Sequence, residues 1–167
     1  MADAIQGGYA VAVSDGSFCL GHGSVAWVIE GVKKTGRILG CTRVPGEEKS
    51  QSSYRSELTG LYCTILIVPN LCCEYYKITK GEIKMGCDGE SALHAAFSPY
   101  LAVVTDPAFN IKLANFHLLS NSSISNSSIK WKPAHIKGHQ DDIQPKEDLS
   151  RIAQLNVEMD LLARKHL

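Results

Sequence analysis

Tyr9-Ala10-Val11-Ala12-Val13-Ser14-Asp15-Gly16 is the stretch that decides the fold. It is apolar on both alternations, which suits a strand covered on both faces, and such strands belong to the interior of an α/β sheet. A second short apolar run, Ile83 to Cys87, also ends in Asp-Gly, at Asp88 and Gly89. Between them the period changes: Tyr54, Leu58, Leu61, Tyr62, Ile65 and Leu66 fall at helical spacing within Ser50 to Val68, behind Ser52 and Ser53 as candidate N-caps. Working outward, a glycine-rich connection from Gly16 to Gly23 leads to a strand over Ser24 to Glu30. A turn around Gly31 to Thr35 leads to another strand over Gly36 to Arg43. After Cys87 the pattern predicts a helix over Glu90 to Phe97, another over Ala108 to Leu119, and a Ser/Asn-rich loop from Ser120 to Ser128. A strand over Ile129 to His135, a polar segment from Gly138 to Asp148 and a helix over Leu149 to His166 complete the chain. The sum is an α/β fold with a five-stranded mixed sheet flanked by helices, three antiparallel strands being followed by two parallel ones that return through helical crossovers.

The 167 residues are expected to form a single domain, with residues 1–7 flexible. Hydrophobic residues make up 44% and charged residues 20%, which removes the compositional basis for disordered, collagen-like or coiled-coil readings. Lys plus Arg number 17 and Asp plus Glu number 17, so affinity for nucleic acid must come from a local arrangement of charge. No apolar run approaches the roughly 20 residues of a membrane span. The six cysteines, Cys19, Cys41, Cys63, Cys72, Cys73 and Cys87, show no Cys-x-x-Cys spacing and read as buried free thiols. They place the chain inside the cell, in cytoplasm or nucleus, and the glycosylation-type triplets at Asn121 and Asn126 then read as polar loop. A monomer is expected.

Four acids stand on surfaces where acids are uncommon. Asp15 and Asp88 end the two buried strands, each with a glycine behind it to permit a turn. With those strands as parallel neighbours, both carboxylates meet where the chain reverses direction across the sheet, the position at which open α/β sheets place ligands. Glu57 lies three residues after Tyr54 and four before Leu61, on the apolar face of its helix. Asp160 stands four after Asn156 and three before Ala163, beside the packed stripe of the last helix. Buried carboxylates need a partner. The partner is either a cation shared by the four or an arginine, Arg55 or Arg164. Hard oxygen ligands without histidine suit Mg²⁺ or Mn²⁺ and phosphoryl-transfer chemistry.

Ser14-Asp15-Gly16-Ser17, Ser53-Tyr54-Arg55-Ser56-Glu57-Leu58, Cys87-Asp88-Gly89-Glu90-Ser91-Ala92-Leu93 and Asn156-Val157-Glu158-Met159-Asp160-Leu161-Leu162-Ala163 together resemble the four acidic motifs of ribonuclease H, in the same order and spacing. His135-Ile136-Lys137-Gly138-His139-Gln140-Asp141-Asp142 is similar to that family's mobile loop and points to His139. The resemblance runs from about Tyr9 to Ala163. The ending Gly138-His139-Gln140-Asp141-Asp142, followed by Leu155-Asn156-Val157, looks most like the domains attached to reverse transcriptases of mobile elements.

The resemblance implies hydrolysis of the RNA strand of RNA/DNA hybrids with two Mg²⁺ (or Mn²⁺) ions, leaving a 3′-hydroxyl and a 5′-phosphate. It gives Asp15 to both ions, Glu57 and Asp88 to one, Asp160 to the other, and proton movement or product release to His139. It gives substrate contacts to Gly16, Ser17, Ser52, Ser53, Glu90 and Lys137, and a reverse transcriptase or other polyprotein domain as partner. His22, His94, His117, His135 and His166 are left structural, and Trp27 and Trp131 are assigned to the core. One departure concerns grip. Ser98 to Phe109, where bacterial relatives carry a basic helical protrusion, contains no Lys or Arg, leaving Lys112, Lys130, Lys132 and Lys137 as candidate phosphate contacts and predicting weak hybrid binding. An integrase- or transposase-like DNA nuclease and a non-catalytic nucleic-acid-binding or scaffolding module share this fold class. The helix-borne Glu57 and the full set of acids favour ribonuclease H over both.

Overall fold

The computed structural model describes residues 1–31, 36–69, 75–97 and 128–167. In chain order the elements are α1 (Ala2–Gln6), β1 (Ala10–Cys19), β2 (His22–Glu30), β3 (Arg37–Arg43), α2 (Ser53–Pro69), β4 (Lys80–Cys87), α3 (Glu90–Phe97), β5 (Ser128–His135) and α4 (Arg151–Arg164). The five strands form one sheet in the order β3-β2-β1-β4-β5. β1 pairs antiparallel with β2 and β2 with β3, whereas β1 pairs parallel with β4 and β4 with β5. This is the predicted mixed sheet, with the reversal between β1 and β4. Pro133 is tolerated because β5 is an edge strand, where a missing N–H need not break a ladder.

The double-sided apolar pattern of β1 is explained by what covers it. On one face Ala10, Ala12, Val25, Trp27, Ile83 and Met85 pack against Leu58 and Leu61 of α2 and Ala92 and Leu93 of α3. On the other, Val13, Ala26 and Val28 pack against Leu155, Val157 and Met159 of α4. α4 is also fastened by charge. Glu30, only 3% exposed, accepts two hydrogen bonds from the Arg151 guanidinium at 2.8 and 2.7 Å, and Arg37 bonds Glu158 at 2.6 Å. A buried carboxylate paired in this way selects one seating of the helix.

Several expectations are corrected. The connection from Gly16 to Gly23 is mostly strand: β1 runs on to Cys19, β2 begins at His22, and a two-residue turn, Leu20 at φ 49° and Gly21 at φ 78°, closes the hairpin. Gly16 therefore serves no turn. A Cβ there would lie 2.5 Å from the Glu57 backbone nitrogen, so glycine is what lets α2 approach the strand. Residues 1–7, expected to be flexible, instead hold α1, which buries Ala4 and Ile5 to 3% and 1% exposure; its five residues are too few to show a period. The last helix starts at Arg151, since a 3₁₀ turn over Lys146–Asp148 precedes it. The cysteines are not uniformly buried: Cys87 is, Cys41 and Cys63 are partly so, and Cys19 is exposed at the hairpin end. The expected helix over Ala108 to Leu119, the loop after it, Cys72, Cys73, His117, Lys112 and the stretch Ser98 to Phe109 lie outside the described residues.

Candidate active site

β1 and β4 are in register from Ala10↔Ile83 to Val13↔Gly86, and beyond that point Asp15 and Asp88 stand at the same end of the sheet. Asp15 is an interior residue of β1, opposite Ala26, and not the strand's last residue as the Asp-Gly pair suggested. It is 4% exposed, and Asn156 of α4 donates its Nδ2–H to Asp15 Oδ2 at 3.2 Å. Asn156 and Asp160 lie one helical turn apart, so the helix that holds Asp15 also brings the fourth acid beside it.

Glu57 reaches the same place from α2, whose start is fixed by Ser52: its Oγ accepts the Arg55 N–H at 3.1 Å, an N-cap contact. The Gly16 N–H donates to Glu57 Oε1 at 3.1 Å and the Cys87 thiol to Oε2 at 3.3 Å. Ligand atoms of Glu57, Cys87 and Asp88 all lie within 4.8 Å of one another. Asp88 Oδ1 is buried without a hydrogen-bond partner. Its backbone carbonyl is held by His135, whose Nε2 lies at 3.1 Å. The loop after β5 closes against the same residue, for a Cβ on Gly138 would come 2.7 Å from Asp88 Oδ2.

Crowded, half-desolvated carboxylates resist ionisation. Burial, followed by the charges of Glu57, Asp88 and Asp160 and a hydrogen bond with Glu57, pushes Asp15 up to about 10. Burial and the charge of Asp88 push Glu57 up to about 7, against the opposing effect of its Cys87, Gly16 and Asp15 donors. The two shifts describe one arrangement, in which the more buried Asp15 keeps a proton and shares it with Glu57. Burial and the neighbouring Glu57 hold the Cys87 thiol far above its usual range, so it acts as a neutral donor.

Asp160 is near enough to raise Asp15, but its own carboxylate is engaged: Arg164 Nε donates to Oδ1 at 2.7 Å, one of the two arginine pairings open from the sequence. Arg55, the other, turns to the carbonyls of Pro45 and Ser50. His139 is exposed, in a left-handed conformation at φ 50°, and among the described residues its ring makes no hydrogen bond to the acids. Of the expected substrate contacts, Gly16 touches Glu57, Ser17 accepts the Ser56 hydroxyl through its carbonyl, Ser52 is engaged as the cap, and Ser53, Glu90 and Lys137 are exposed. The sequence reading missed the roles of Asn156, Cys87 and His135. Asn156 stands on the same stripe as Asp160, which is a usable signal; nothing in the sequence separates His135 from a solvated strand residue.

The residues fit hard divalent ions: clustered carboxylates and an orphaned Asp88 oxygen supply ligands and charge, while the neutral thiol is turned to Glu57.

No protein-family model and no curated relative matches the chain. Solved structures do. Ribonuclease H1 from the halophilic archaeon Halobacterium salinarum is 14% identical, with 94% of this chain and 96% of that one aligned at a TM-score of 0.60. LC11-RNase H1 in complex with an RNA/DNA hybrid is 14% identical over 93% and 94% of the two chains, TM-score 0.62. LC11-RNase H1 isolated from compost aligns at 14% identity over 94% of each chain, TM-score 0.59.

Proposed function

We propose that this chain, which has the ribonuclease H fold, is a divalent-metal-dependent endonuclease that hydrolyses the RNA strand of RNA/DNA hybrids. The observation that carries the proposal is the convergence of Asp15, Glu57 and Asp88, with Asp160 beside them, where the pairing of β1 with β4 ends. The likeness to LC11-RNase H1, which was solved with a hybrid, supports the choice of substrate.

In this reading Asp15, Glu57, Asp88 and Asp160 hold two Mg²⁺ or Mn²⁺ ions. When bound, the ions activate the attacking water and stabilise the leaving 3′-oxygen. The protein's own groups set the geometry. Asn156 orients Asp15; the Gly16 N–H and Cys87 thiol fix the two oxygens of Glu57; His135 fixes the main chain of Asp88. Asp15 loses its shared proton when cations offset the neighbouring charges. Arg164 releases Asp160 or shares it, a small cost for a partly exposed pair. His139, on the exposed loop that Gly138 anchors at Asp88, moves a proton or assists departure of the product. In the same reading Ser17 and the exposed Ser53, Glu90 and Lys137 contact the hybrid, with small polar groups reading the 2′-hydroxyls.

The proposal extends to context. The domain belongs to a reverse-transcriptase-type mobile element, works inside the cell as a monomer, and takes part of its substrate grip from a neighbouring domain. No helix among the described residues is long and apolar enough to cross a membrane. The test is cleavage of end-labelled RNA/DNA hybrid beside double-stranded RNA and double-stranded DNA, with Mg²⁺, Mn²⁺ or chelator. Metal-dependent cutting confined to the RNA strand of the hybrid is the expected result. Cutting of DNA alone, or of nothing at any metal concentration, overturns the proposal.

A further inference from the structure

Residues in register across a sheet share a face. Val13, which packs under α4, is in register with Gly86 of β4 and, through it, with Ala134 of β5. Two residues at a time toward the strand starts, the same face carries Lys84 beside Lys132, then Glu82 beside Lys130, then Lys80. Lys80, Lys84, Lys130 and Lys132 are all exposed. The apolar residues of α4 cover β1 and β2 on this side, and the lysines continue the face beyond them.

The arrangement has an electrostatic cost. Lys84 stands directly beside Lys132 across strands about 4.8 Å apart, and like charges so placed are destabilising. Glu82 is the carboxylate in this array, and it bonds Lys132 at 2.6 Å. Among the described residues Lys80, Lys84 and Lys130 form no ion pair. In a chain with equal numbers of acidic and basic residues, this is a local excess of positive charge. Its rows repeat every ~6.6 Å, two residues of strand rise. A nucleic-acid duplex carries backbone charges every few ångströms along its axis (about 3.4 Å per strand in double-stranded DNA), so rows at this spacing are on the scale of a phosphate backbone. The near end of the array lies toward the site: Lys84, midway along β4, precedes Asp88, just past the strand, by four residues, about 13 Å of extended chain.

We propose that the β4–β5 face is a phosphate-backbone site for the RNA/DNA hybrid, with Lys84, Lys130 and Lys132 as its principal contacts and Lys80 at its far end. The inference rests on the reading of the acid cluster as a hybrid-cleaving site. It adds where this chain grips a duplex, given that Ser98 to Phe109 brings no Lys or Arg. The sequence singled out Lys130 and Lys132; the register adds Lys80 and Lys84 and makes the four one surface.

The experiment measures binding without cleavage. Fluorescence anisotropy of a labelled hybrid in chelator, across a KCl series, is compared for the full wild-type chain, the triple variant Lys84→Gln/Lys130→Gln/Lys132→Gln, the single variants Lys84→Gln and Lys130→Gln, and Lys165→Gln as a control just past α4. Removing one lysine–phosphate pairing lowers the slope of log affinity against log salt by about 0.9. The triple variant should therefore lose about 2 to 3 from the slope and at least about tenfold in affinity at low salt, the singles about 1 each, and the control nothing. A slope unchanged in the singles and the triple overturns the phosphate site, even where the wild type cuts hybrid. A reduced slope in a protein that cuts nothing leaves the phosphate site standing and overturns the proposed activity. An acidic protein partner in place of nucleic acid would show as no measurable hybrid binding by the wild type, which also overturns the inference.

Discussion

Replacing Asp15 with Asn is the sharpest probe of the acid cluster, because the amide copies the protonated carboxyl. Its carbonyl oxygen can still accept from Asn156 and its NH₂ can still donate to Glu57, so the packing survives while a charge disappears. Asp15 ionises near its ordinary value of 3.8 in the unfolded chain and at about 10 in the fold. A carboxylate raised in this way gives its full stability below pH 3.8 and loses it as pH rises toward 10. At pH 7 the loss spans about three pH units, and at ~1.36 kcal/mol per unit it comes to about 4 kcal/mol. Asp15→Asn carries no such penalty.

Urea denaturation in chelator at pH 5, 7 and 9 measures this directly. Wild-type stability should fall steadily across the series, while Asp15→Asn should be more stable at pH 7 by a few kcal/mol, about 10 °C in melting temperature for a chain of this size, with a much flatter pH dependence. Mg²⁺ or Mn²⁺ should then reverse the order, stabilising the wild type by mass action and the variant hardly at all. If Asp15→Asn is less stable than wild type in chelator at pH 8, or follows the same pH slope, Asp15 is held by a structural partner and the account of crowded carboxylates is wrong.

Asp88→Asn keeps the shape of the site but removes ligand charge, so cleavage of hybrid should fall by about 10³-fold, the equivalent of several kcal/mol of ion stabilisation, while anisotropy shows binding retained. His135→Ala should weaken activation by metal, seen as a higher Mn²⁺ concentration for half-maximal rate, and His135→Gln, which can still offer an N–H to the Asp88 carbonyl, should restore most of it; equal activation curves for all three proteins would refute that role. His139→Ala should lower kcat by about 10²-fold at most with little change in KM, since water replaces part of what an exposed loop histidine does. Gly16→Ala should cost about 1–3 kcal/mol and most of the activity, because its Cβ would press on the Glu57 backbone, and a variant as stable and active as wild type would show that α2 can step back freely.

Order and type of the elements were legible wherever burial imposed a period. β1 and the apolar stripe of α2 are covered on the sides the pattern required, and α3 spans Glu90–Phe97 as its signals indicate. Legibility ended where glycine had more than one use. Gly16-Ser17-Phe18-Cys19 reads as a connection by composition, but the ladder continues through it because Gly16 answers to the approach of α2, a constraint located in another element. Leu20 takes a left-handed conformation in the hairpin turn, where propensity would place Asn or Gly, so Gly21 was one glycine among several and nothing placed the two-residue turn within the run. α1 escaped for the opposite reason: five residues cannot display a helical period, and Ile5 is buried against Gly81 of β4, far along the chain.

The acids were visible and their holders were not, for a shared physical reason. Each acid of the cluster is held by a residue of a different element: the carboxylate of Asp15 of β1 by Asn156 of α4, that of Glu57 of α2 by Gly16 of β1 and Cys87 of β4, and the main chain of Asp88 by His135 of β5. An acid on an apolar face breaks a local rule and announces itself, whereas an asparagine, a thiol or a histidine that donates one hydrogen bond across the fold breaks none. Mutual repulsion would drive the carboxylates apart if each were held only by its own strand or helix. Crossed anchoring, together with the Glu30–Arg151 pairing that seats α4, keeps them from relaxing. Burial first, and the neighbouring charges after it, hold Asp15 and Glu57 high in the folded chain, and a divalent cation bound there would relieve both. Loss of a holder should therefore show first in metal affinity and only second in global stability, which separates the holders from ordinary core residues such as Leu61 or Met85.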